Sequence, residues 1–205
     1  MPERVLDPIP PIEDPYPDFP ITLASVGYEC ALALVRLKDA AAMISGGRED
    51  ADYLVGADYS IRWTATDGRT GRVTVPRGMP TDLTSVPRPF RWFVGRVGPW
   101  LEAAIVHDWL CVAWGFVADA GWTEDRRRFA DEVMLKAMEA AKVNMVMRWA
   151  IYGAVRLWAR FASKEAPKLS FIDFDKMEYR RQFPDGVRLP GYDGTRAVTE
   201  DGGIA

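Results

Sequence analysis

A single histidine, His107, is the residue on which imidazole chemistry in this 205-residue chain depends. Three aspartates are candidates to work with it: Asp108 follows directly, Asp82 lies upstream and Asp131 lies downstream. Ser85 adds a hydroxyl close to Asp82. Zinc peptidases and HD-type phosphohydrolases use two or more histidines, so the composition excludes both classes.

Three interpretations of these residues stay open. The one we favour is structural: His107 lies on an apolar stripe, so its ring nitrogens need partners, and Asp82, Ser85 or Asp131 are able to supply them in a buried hydrogen-bond network. The second is a site for a divalent cation held by Asp82, His107, Asp108 and Asp131, because carboxylate-rich ligation favours Mg or Mn over Zn.

The third interpretation is nucleophilic catalysis. Ser85 would be the nucleophile, His107 the base, and Asp131 or Asp82 would orient the ring. No nucleophile elbow surrounds Ser85, and the following Val86-Pro87 removes one backbone donor from an oxyanion hole. This interpretation is therefore the weakest of the three.

The elements that position these residues follow from hydrophobic periodicity. Residues 59–66 alternate with period two, Asp67-Gly68 is a turn signal, and residues 72–75 return as the partner strand of a β-hairpin. Residues 21–44 are compatible with either helix or strand. After Pro99 the period changes to three or four residues, which predicts a helix whose buried stripe is Trp100, Ala104, His107, Cys111 and Trp114.

Two more helices are predicted downstream. Thr123 is the expected cap of the first, whose buried stripe is Phe129, Ala130, Val133, Met134, Ala137, Met138 and Ala141. The next covers residues 144–162. An antiparallel helix pair would bring Asp131 toward His107. The predicted fold class is α+β: a small antiparallel β-hairpin or sheet, then a three-helix cluster, with extended arms at both ends.

Two proline-marked arms flank the single predicted domain of residues 21–163. Residues 1–20 contain seven prolines, and residues 164–205 show little periodicity, so both segments are expected to be extended. Their aromatic residues are spaced like anchors for pockets on a neighbouring subunit. These are Tyr16, Phe19, Phe171, Phe174, Tyr179, Phe183 and Tyr192.

Charge and composition limit the partners. The formal net charge of -3 gives no global attraction to nucleic acid or to an anionic membrane. Residues 143–162 are the best membrane candidate, but three arginines interrupt them, so no span is expected. Cys30 and Cys111 are interpreted as reduced structural thiols.

Two groups of arginines in the predicted helices are interpreted separately. Arg126, Arg127 and Arg128 are expected to form a solvated first helical turn beside Glu124 and Asp125. Arg156 and Arg160 are expected either to stack on aromatic rings or to pair with acids of the C-terminal arm.

Three motifs occur in order along the chain. They are VPRGMPTDLTSVP at residues 75–87, AAIVHDWL at residues 103–110, and Ala130-Asp131 in the following helix. Together they resemble domain of unknown function 1353, an uncharacterised family of tailed bacteriophages, prophages and gene-transfer agents. Its motif residues correspond here to Asp82, Ser85, Pro87, His107, Asp108 and Asp131, within residues 55–160. The resemblance implies a phage origin and implies no reaction.

The sequence therefore predicts a virion-associated structural or assembly protein, of the tail or head-tail region, made in the bacterial host cytoplasm. Its extended arms would contact other virion proteins in a homo- or hetero-oligomer, with no cofactor and no nucleic acid. The alternative is a metal-dependent hydrolase, directed for example at peptidoglycan, with a divalent cation at Asp82, His107, Asp108 and Asp131.

Overall fold

Strands come first and helices second along the chain. In the computed structural model, which describes residues 12–36, 53–81, 98–117 and 121–158, the chain forms two three-stranded antiparallel sheets and three α-helices. The strands are β1 (Leu23–Tyr28), β2 (Leu34–Arg36), β3 (Tyr53–Val55), β4 (Tyr59–Ala65), β5 (Thr70–Val75) and β6 (Pro80–Thr81). The helices are α1 (Leu101–Val112), α2 (Glu124–Ala140) and α3 (Met145–Trp158). The predicted α+β class is confirmed.

The β4–β5 hairpin is the part of the fold that alternation predicted. Tyr59 pairs with Val75 and Thr64 with Thr70. Every second side chain of β4 is buried, so one face of the strand is directed into the core. Gly68 has a φ of 87°, a left-handed conformation that glycine adopts without strain, at the turn between the strands.

Two strands resolve the helix-or-strand ambiguity as far as Arg36, and residues 37–44 lie outside the described residues. β1 pairs with β4, with Val26 opposite Trp63, and the order of the first sheet is β1-β4-β5. β2 pairs with β3 in the second sheet, whose order is β2-β3-β6. The second sheet ends at Thr81, directly before the predicted site residue Asp82.

Helix α2 lies at the centre of the core. Thr123 caps it, because its hydroxyl oxygen accepts a hydrogen bond from the Arg126 backbone N–H at 3.2 Å. The predicted stripe is buried except for Ala141, which is partly exposed. Phe129 packs edge-to-face on Trp63 of β4, with ring centroids 5.8 Å apart. Helix α2 thereby joins the first sheet to α1 and α3, which both pack on it.

The predicted stripe of α1 is wrong. Of Trp100, Ala104, His107, Cys111 and Trp114, only His107 is buried. The buried residues are instead Ala103, Ile105, Val106, His107, Trp109 and Leu110. Because α1 packs on α2 and also on β5, it is covered from two directions, and a single-stripe pattern does not describe such a helix.

Helix α3 confirms the third predicted helix as far as residue 158. Ile151 and Ala154 are buried on its inner side. The predicted continuation to residue 162, the domain boundary at residue 163 and the C-terminal arm all lie outside the described residues, as do residues 1–11 of the N-terminal arm.

Residues 12–20 of the N-terminal arm pack on the chain's own core. Tyr16 and Phe19 both contact the Phe129 ring edge-to-face, and the Tyr16 hydroxyl donates to the Leu110 carbonyl oxygen. Arg69 donates to the carbonyl oxygens of Asp18 and Pro20 at 2.7 Å. The prediction that Tyr16 and Phe19 anchor on another subunit is therefore wrong, because α2 already offers these rings an apolar surface.

Candidate functional site

Asp131 is a fully buried carboxylate that binds side chains from all three helices. Its Oδ1 accepts from His107 Nε2 of α1 at 3.0 Å. Its Oδ2 accepts from Arg127 Nη1 of α2 at 2.8 Å and from Arg156 Nη1 of α3 at 3.3 Å. We call His107, Arg127, Asp131 and Arg156 the Asp131 cluster. The predicted approach of Asp131 to His107 is confirmed.

Local helix geometry explains how the cluster forms. Arg127 precedes Asp131 by one turn of α2, so the two side chains lie on the same face of the helix. His107 stands near the middle of α1, and the packing of α1 on α2 brings it opposite Asp131. A buried carboxylate is costly unless it is paired and hydrogen-bonded, and both oxygens of Asp131 meet that condition.

The cluster favours a charged imidazole. Burial favours the neutral ring and by itself lowers the pKa of His107, but the electrostatic interaction with Cys111 and the contacts with Asp108 and Asp131 outweigh it. The pKa of His107 is therefore raised well above 6.5. An imidazolium beside Asp131 is an ion pair, and in that form the ring has no free nitrogen lone pair with which to act as a general base.

Two further side chains border the His107 ring. Asp108 Oδ1 lies 3.9 Å from Nδ1. The Cys111 sulfur lies 3.6 Å from Nε2 and 3.8 Å from Nδ1, and Cys111 is exposed, contrary to its interpretation as a buried structural thiol. Cys30, the second cysteine, is also exposed.

The metal and nucleophile interpretations depend on residues that lie outside the described ranges. Asp82, Ser85 and Pro87 are among them. Within residues 12–36, 53–81, 98–117 and 121–158, no group of three or more His, Cys, Asp or Glu side chains could hold a metal ion. Two guanidinium groups already occupy Oδ2 of Asp131, and they would repel a divalent cation there.

Sequence reasoning missed the two arginines of the cluster. Arg128 is exposed as predicted, but Arg127 pairs with Glu124 and also reaches inward to Asp131. Arg156 lies over the Tyr152 ring at 5.9 Å, which confirms the predicted stacking, while its acid partner is Asp131 and not an acid of the C-terminal arm. The signal for Arg127 was its i,i+4 spacing from Asp131.

A second acid with two arginines lies on the outer surface of the first sheet. Glu29, just after β1, pairs with Arg62 of β4 at 2.8 Å and with Arg72 of β5 at 2.6 Å. Both arginine side chains are more than half exposed. Slight burial raises the pKa of Glu29, but the hydrogen bonds from Arg72 and Arg62 outweigh it and lower that pKa below 4.5.

The outer face of α3 is apolar and exposed. In the described part of the chain, all the exposed large hydrophobic residues lie on this helix, with 52% to 71% of their surface accessible: Met145, Val146, Trp149 and Leu157. Ala150 and Gly153 are the other exposed residues of α3 whose side chains the structure describes. We call these six residues the outer face of α3; none is charged.

Among the described residues, the structure contains no helix long and apolar enough to cross a membrane.

Comparison with protein families gives one match: residues 58–155, from the last residue before β4 to near the end of α3, match the family described as Protein of unknown function (DUF1353). The resemblance read from the three motifs is confirmed. Neither the curated proteins nor the solved structures contain a match to the chain.

Proposed function

We propose that this chain, which carries the DUF1353 region at residues 58–155, is a structural assembly protein of a phage-like particle that joins a neighbouring subunit through the outer face of α3. The observation that carries the proposal is the exposure of Met145, Val146, Trp149 and Leu157 on one helix. A helix that is apolar on both sides is normally covered on both sides.

The size of the outer face supports a contact role. Four large side chains, each more than half exposed, amount to roughly 400 Å² of apolar surface. Contiguous apolar patches of about 300–600 Å² on soluble proteins are often interaction sites. Covering such a patch with a partner removes apolar surface from water, so association is favourable.

The Asp131 cluster supports the same proposal because both oxygens of its carboxylate already accept hydrogen bonds from neighbouring side chains. The carboxylate is saturated by one imidazole and two guanidinium groups, an arrangement that ties three helices together. No observation among the described residues favours the metal-dependent hydrolase, so we do not propose it. The cluster stabilises the domain, and the surface of α3 makes the contacts.

The resemblance of the motifs supports the proposed particle and its compartment. The three motifs resemble a family of tailed phages and gene-transfer agents, so the partners are other virion proteins, and the chain is assembled with them in the bacterial host cytoplasm. The tail or the head-tail junction is the proposed location. The net charge of -3 argues against packaged nucleic acid as the partner.

The direct experiment is to replace Trp149 by Glu in cells that produce the particle. We expect Trp149→Glu to be folded but absent from purified particles, because a carboxylate in an apolar contact loses its hydration. Arg128→Glu, which changes charge at an exposed position of α2, is the matched control and should be incorporated normally. Equal incorporation of both variants would remove the proposal.

The N-terminal arm is tested separately. Deletion of residues 2–11 leaves Tyr16 and Phe19 in place, so the core contacts of the arm are kept. If residues 2–11 make the proposed subunit contacts, purified particles should lack the deletion variant. Its unfolding transition should be unchanged. Normal incorporation would show that residues 2–11 make no contact that assembly needs.

A further inference from the structure

The Cys111 thiol lies at the surface beside the one histidine of the chain. Cys111 follows His107 by one helical turn, so both side chains lie on the same face of α1. The sulfur is 3.6 Å from Nε2 and 3.8 Å from Nδ1 of the ring, while the cysteine itself is exposed. The thiol is therefore open to molecules in solution on one side and in contact with a buried imidazole on the other.

Asp131 fixes the imidazole that faces this sulfur. Its Oδ1 accepts a hydrogen bond from Nε2 at 3.0 Å, and the carboxylate is fully buried. This hydrogen bond orients the ring and favours its protonated form. Asp108, whose Oδ1 lies 3.9 Å from Nδ1, is a second acid beside the ring. Cys111 therefore faces a positive charge that the fold holds in place.

Side chains from α2 and from the N-terminal arm also interact with Cys111. The Arg127 guanidinium, which Asp131 holds at 2.8 Å, interacts with it electrostatically. Tyr16 does so as well, but the Tyr16 hydroxyl donates to the Leu110 carbonyl oxygen and is neutral. Two different helices thus place a cation near this thiol.

These surroundings are those of a reactive cysteine. A cation beside a sulfur stabilises the negative charge that the sulfur carries when it attacks an electrophile. Reactive cysteines lie in partly exposed, positively charged surroundings, whereas buried structural cysteines are inert. Cys111 combines both properties, because it is exposed and contacts His107.

Cys30 is an internal reference for this comparison. It is exposed too, but its sulfur accepts from the Ser60 backbone N–H at 3.3 Å and lies 3.9 Å from the Asp58 carbonyl oxygen. Arg72 interacts with Cys30 electrostatically, but its side chain is more than half exposed, so solvent screens its charge. The two exposed thiols therefore differ mainly in the imidazole that contacts Cys111.

We propose that Cys111 is a nucleophilic thiol that exchanges with low-molecular-weight disulfides, and that His107 supplies the positive charge that accelerates this step. The Cys111 sulfur attacks one sulfur of the small disulfide, whose S–S bond breaks as the bond to Cys111 forms. The other half leaves as a thiolate and takes up a proton, while the Cys111 thiol gives its proton to solvent. One disulfide is consumed and one is formed, so the exchange needs no other oxidant.

His107 is a positioning residue in this proposal. Its ring is already protonated, so it takes no proton from the thiol and acts through its charge alone. The proposal goes beyond the assembly role of α3 and does not depend on it.

The first test compares each thiol with itself in the folded and the urea-unfolded full chain. The probe is dithiodipyridine, which is uncharged at neutral pH, so attraction of a charged reagent does not contribute. Cys30→Ser reports Cys111 alone, and Cys111→Ser reports Cys30 alone. Each rate is divided by that of a small reference thiol in the same solution, which corrects for the effect of urea.

Folding should accelerate Cys111 by about threefold or more, although folding ordinarily shields a thiol. It should leave Cys30 unchanged or slower. Mass spectrometry of the peptides locates the added thiopyridine. A Cys111 rate that is no higher in the folded chain than in the unfolded chain would overturn the proposal.

The second test removes the charge of the ring. His107→Gln in the Cys30→Ser background keeps a side chain that donates to Asp131, and its Cys111 rate should fall to that of the unfolded chain. Arg128→Gln is the matched control: it removes an exposed cation next to Arg127, and the Cys111 rate should stay the same. An unchanged rate in folded His107→Gln would contradict the role of His107. If this variant does not fold, the comparison of folded and unfolded Cys111 decides alone.

Discussion

The two faces of α3 differ in what they are used for. The inner side buries Ile151 and Ala154 and sends Arg156 to the fully buried Asp131. The outer face leaves Met145, Trp149 and Leu157 exposed and carries no charge. Apolar side chains thus lie on both sides of α3, whereas an ordinary surface helix is apolar only on the side that it buries.

The difference between the two sides of α3 separates stability from assembly. Charges that are paired inside the domain strongly destabilise it when one partner is lost, because the others remain buried without compensation. Apolar side chains that are already exposed add little to folding, but their burial drives association. Substitutions on the inner side should therefore lower the free energy of unfolding, and those on the outer face should change association alone.

The largest expected effect comes from Asp131→Asn. The amide keeps the shape of the carboxylate but leaves the His107, Arg127 and Arg156 charges without their acid. We expect the free energy of unfolding to fall by about 3–5 kcal/mol, measured by urea denaturation. A loss below ~1 kcal/mol would mean that the cluster does not hold the three helices together.

Adjacent residues of α3 give the sharpest contrast. Arg156→Met removes one hydrogen bond to Asp131 from a partly exposed guanidinium, and we expect a loss of about 1–2 kcal/mol in unfolding free energy with incorporation into particles retained. Leu157→Glu should change stability by no more than ~0.5 kcal/mol and exclude the protein from particles. Urea denaturation of the purified variants gives the first quantity, and the amount of protein in purified particles gives the second. The opposite pattern would contradict the division between the faces.

The pH dependence tests the imidazolium of the inner cluster. Because the folded pKa of His107 is raised above 6.5, its contribution to stability is fully present below that pH and is lost as pH rises through the folded pKa. As pH rises through this window, the free energy of unfolding of the natural chain should fall. It should fall less in His107→Gln.

Two controls keep the pH prediction specific to His107. Cys111→Ser removes the largest of the interactions that raise the pKa of His107, so the fall in stability should begin at lower pH in this variant. Hydrogen bonds from Arg127 lower the pKa of Glu124 to about 2, so the contribution of Glu124 changes only as pH falls below 4.5. Equal slopes for the natural chain and His107→Gln would show that the ring is not an imidazolium in the folded state.

The smallest expected effect is at Glu29, which pairs with two arginines as Asp131 does but on the surface. Glu29→Gln should cost no more than ~1 kcal/mol, and added salt should reduce the difference because exposed pairs are screened. Urea denaturation at two ionic strengths measures both. A loss comparable to that of Asp131→Asn would mean that burial does not set the difference between the two clusters.

Regular patterns were predictable and long-range pairing was not. The β4–β5 hairpin and the buried stripe of α2 followed from periods of two and of three to four residues, since each element is covered mainly on one side. The stripe of α1 was wrong because α1 packs on both β5 and α2. The approach of His107 and Asp131 followed from antiparallel helices, whereas Arg156 reaches Asp131 only through the packing of α3, which no local spacing encodes.

The N-terminal arm shows again that long-range contacts could not be predicted from the sequence. Proline content correctly indicated no helix or strand in residues 12–20. It could not indicate where the aromatic rings go, because a ring fits a pocket on its own domain as well as one on another subunit. Tyr16 and Phe19 lie on Phe129. The candidates for an anchor on another subunit are therefore α3 and the remaining residues of both arms.

The most direct test of the division between the two faces is a competition inside producing cells. The natural chain and Trp149→Glu are expressed at equal levels, and mass spectrometry of the peptide that contains residue 149 gives their ratio in the lysate and in purified particles. The account predicts that the variant is depleted in particles by about tenfold or more, as expected for a contact weakened by ~1.4 kcal/mol or more. The same ratio in lysate and particles would contradict it.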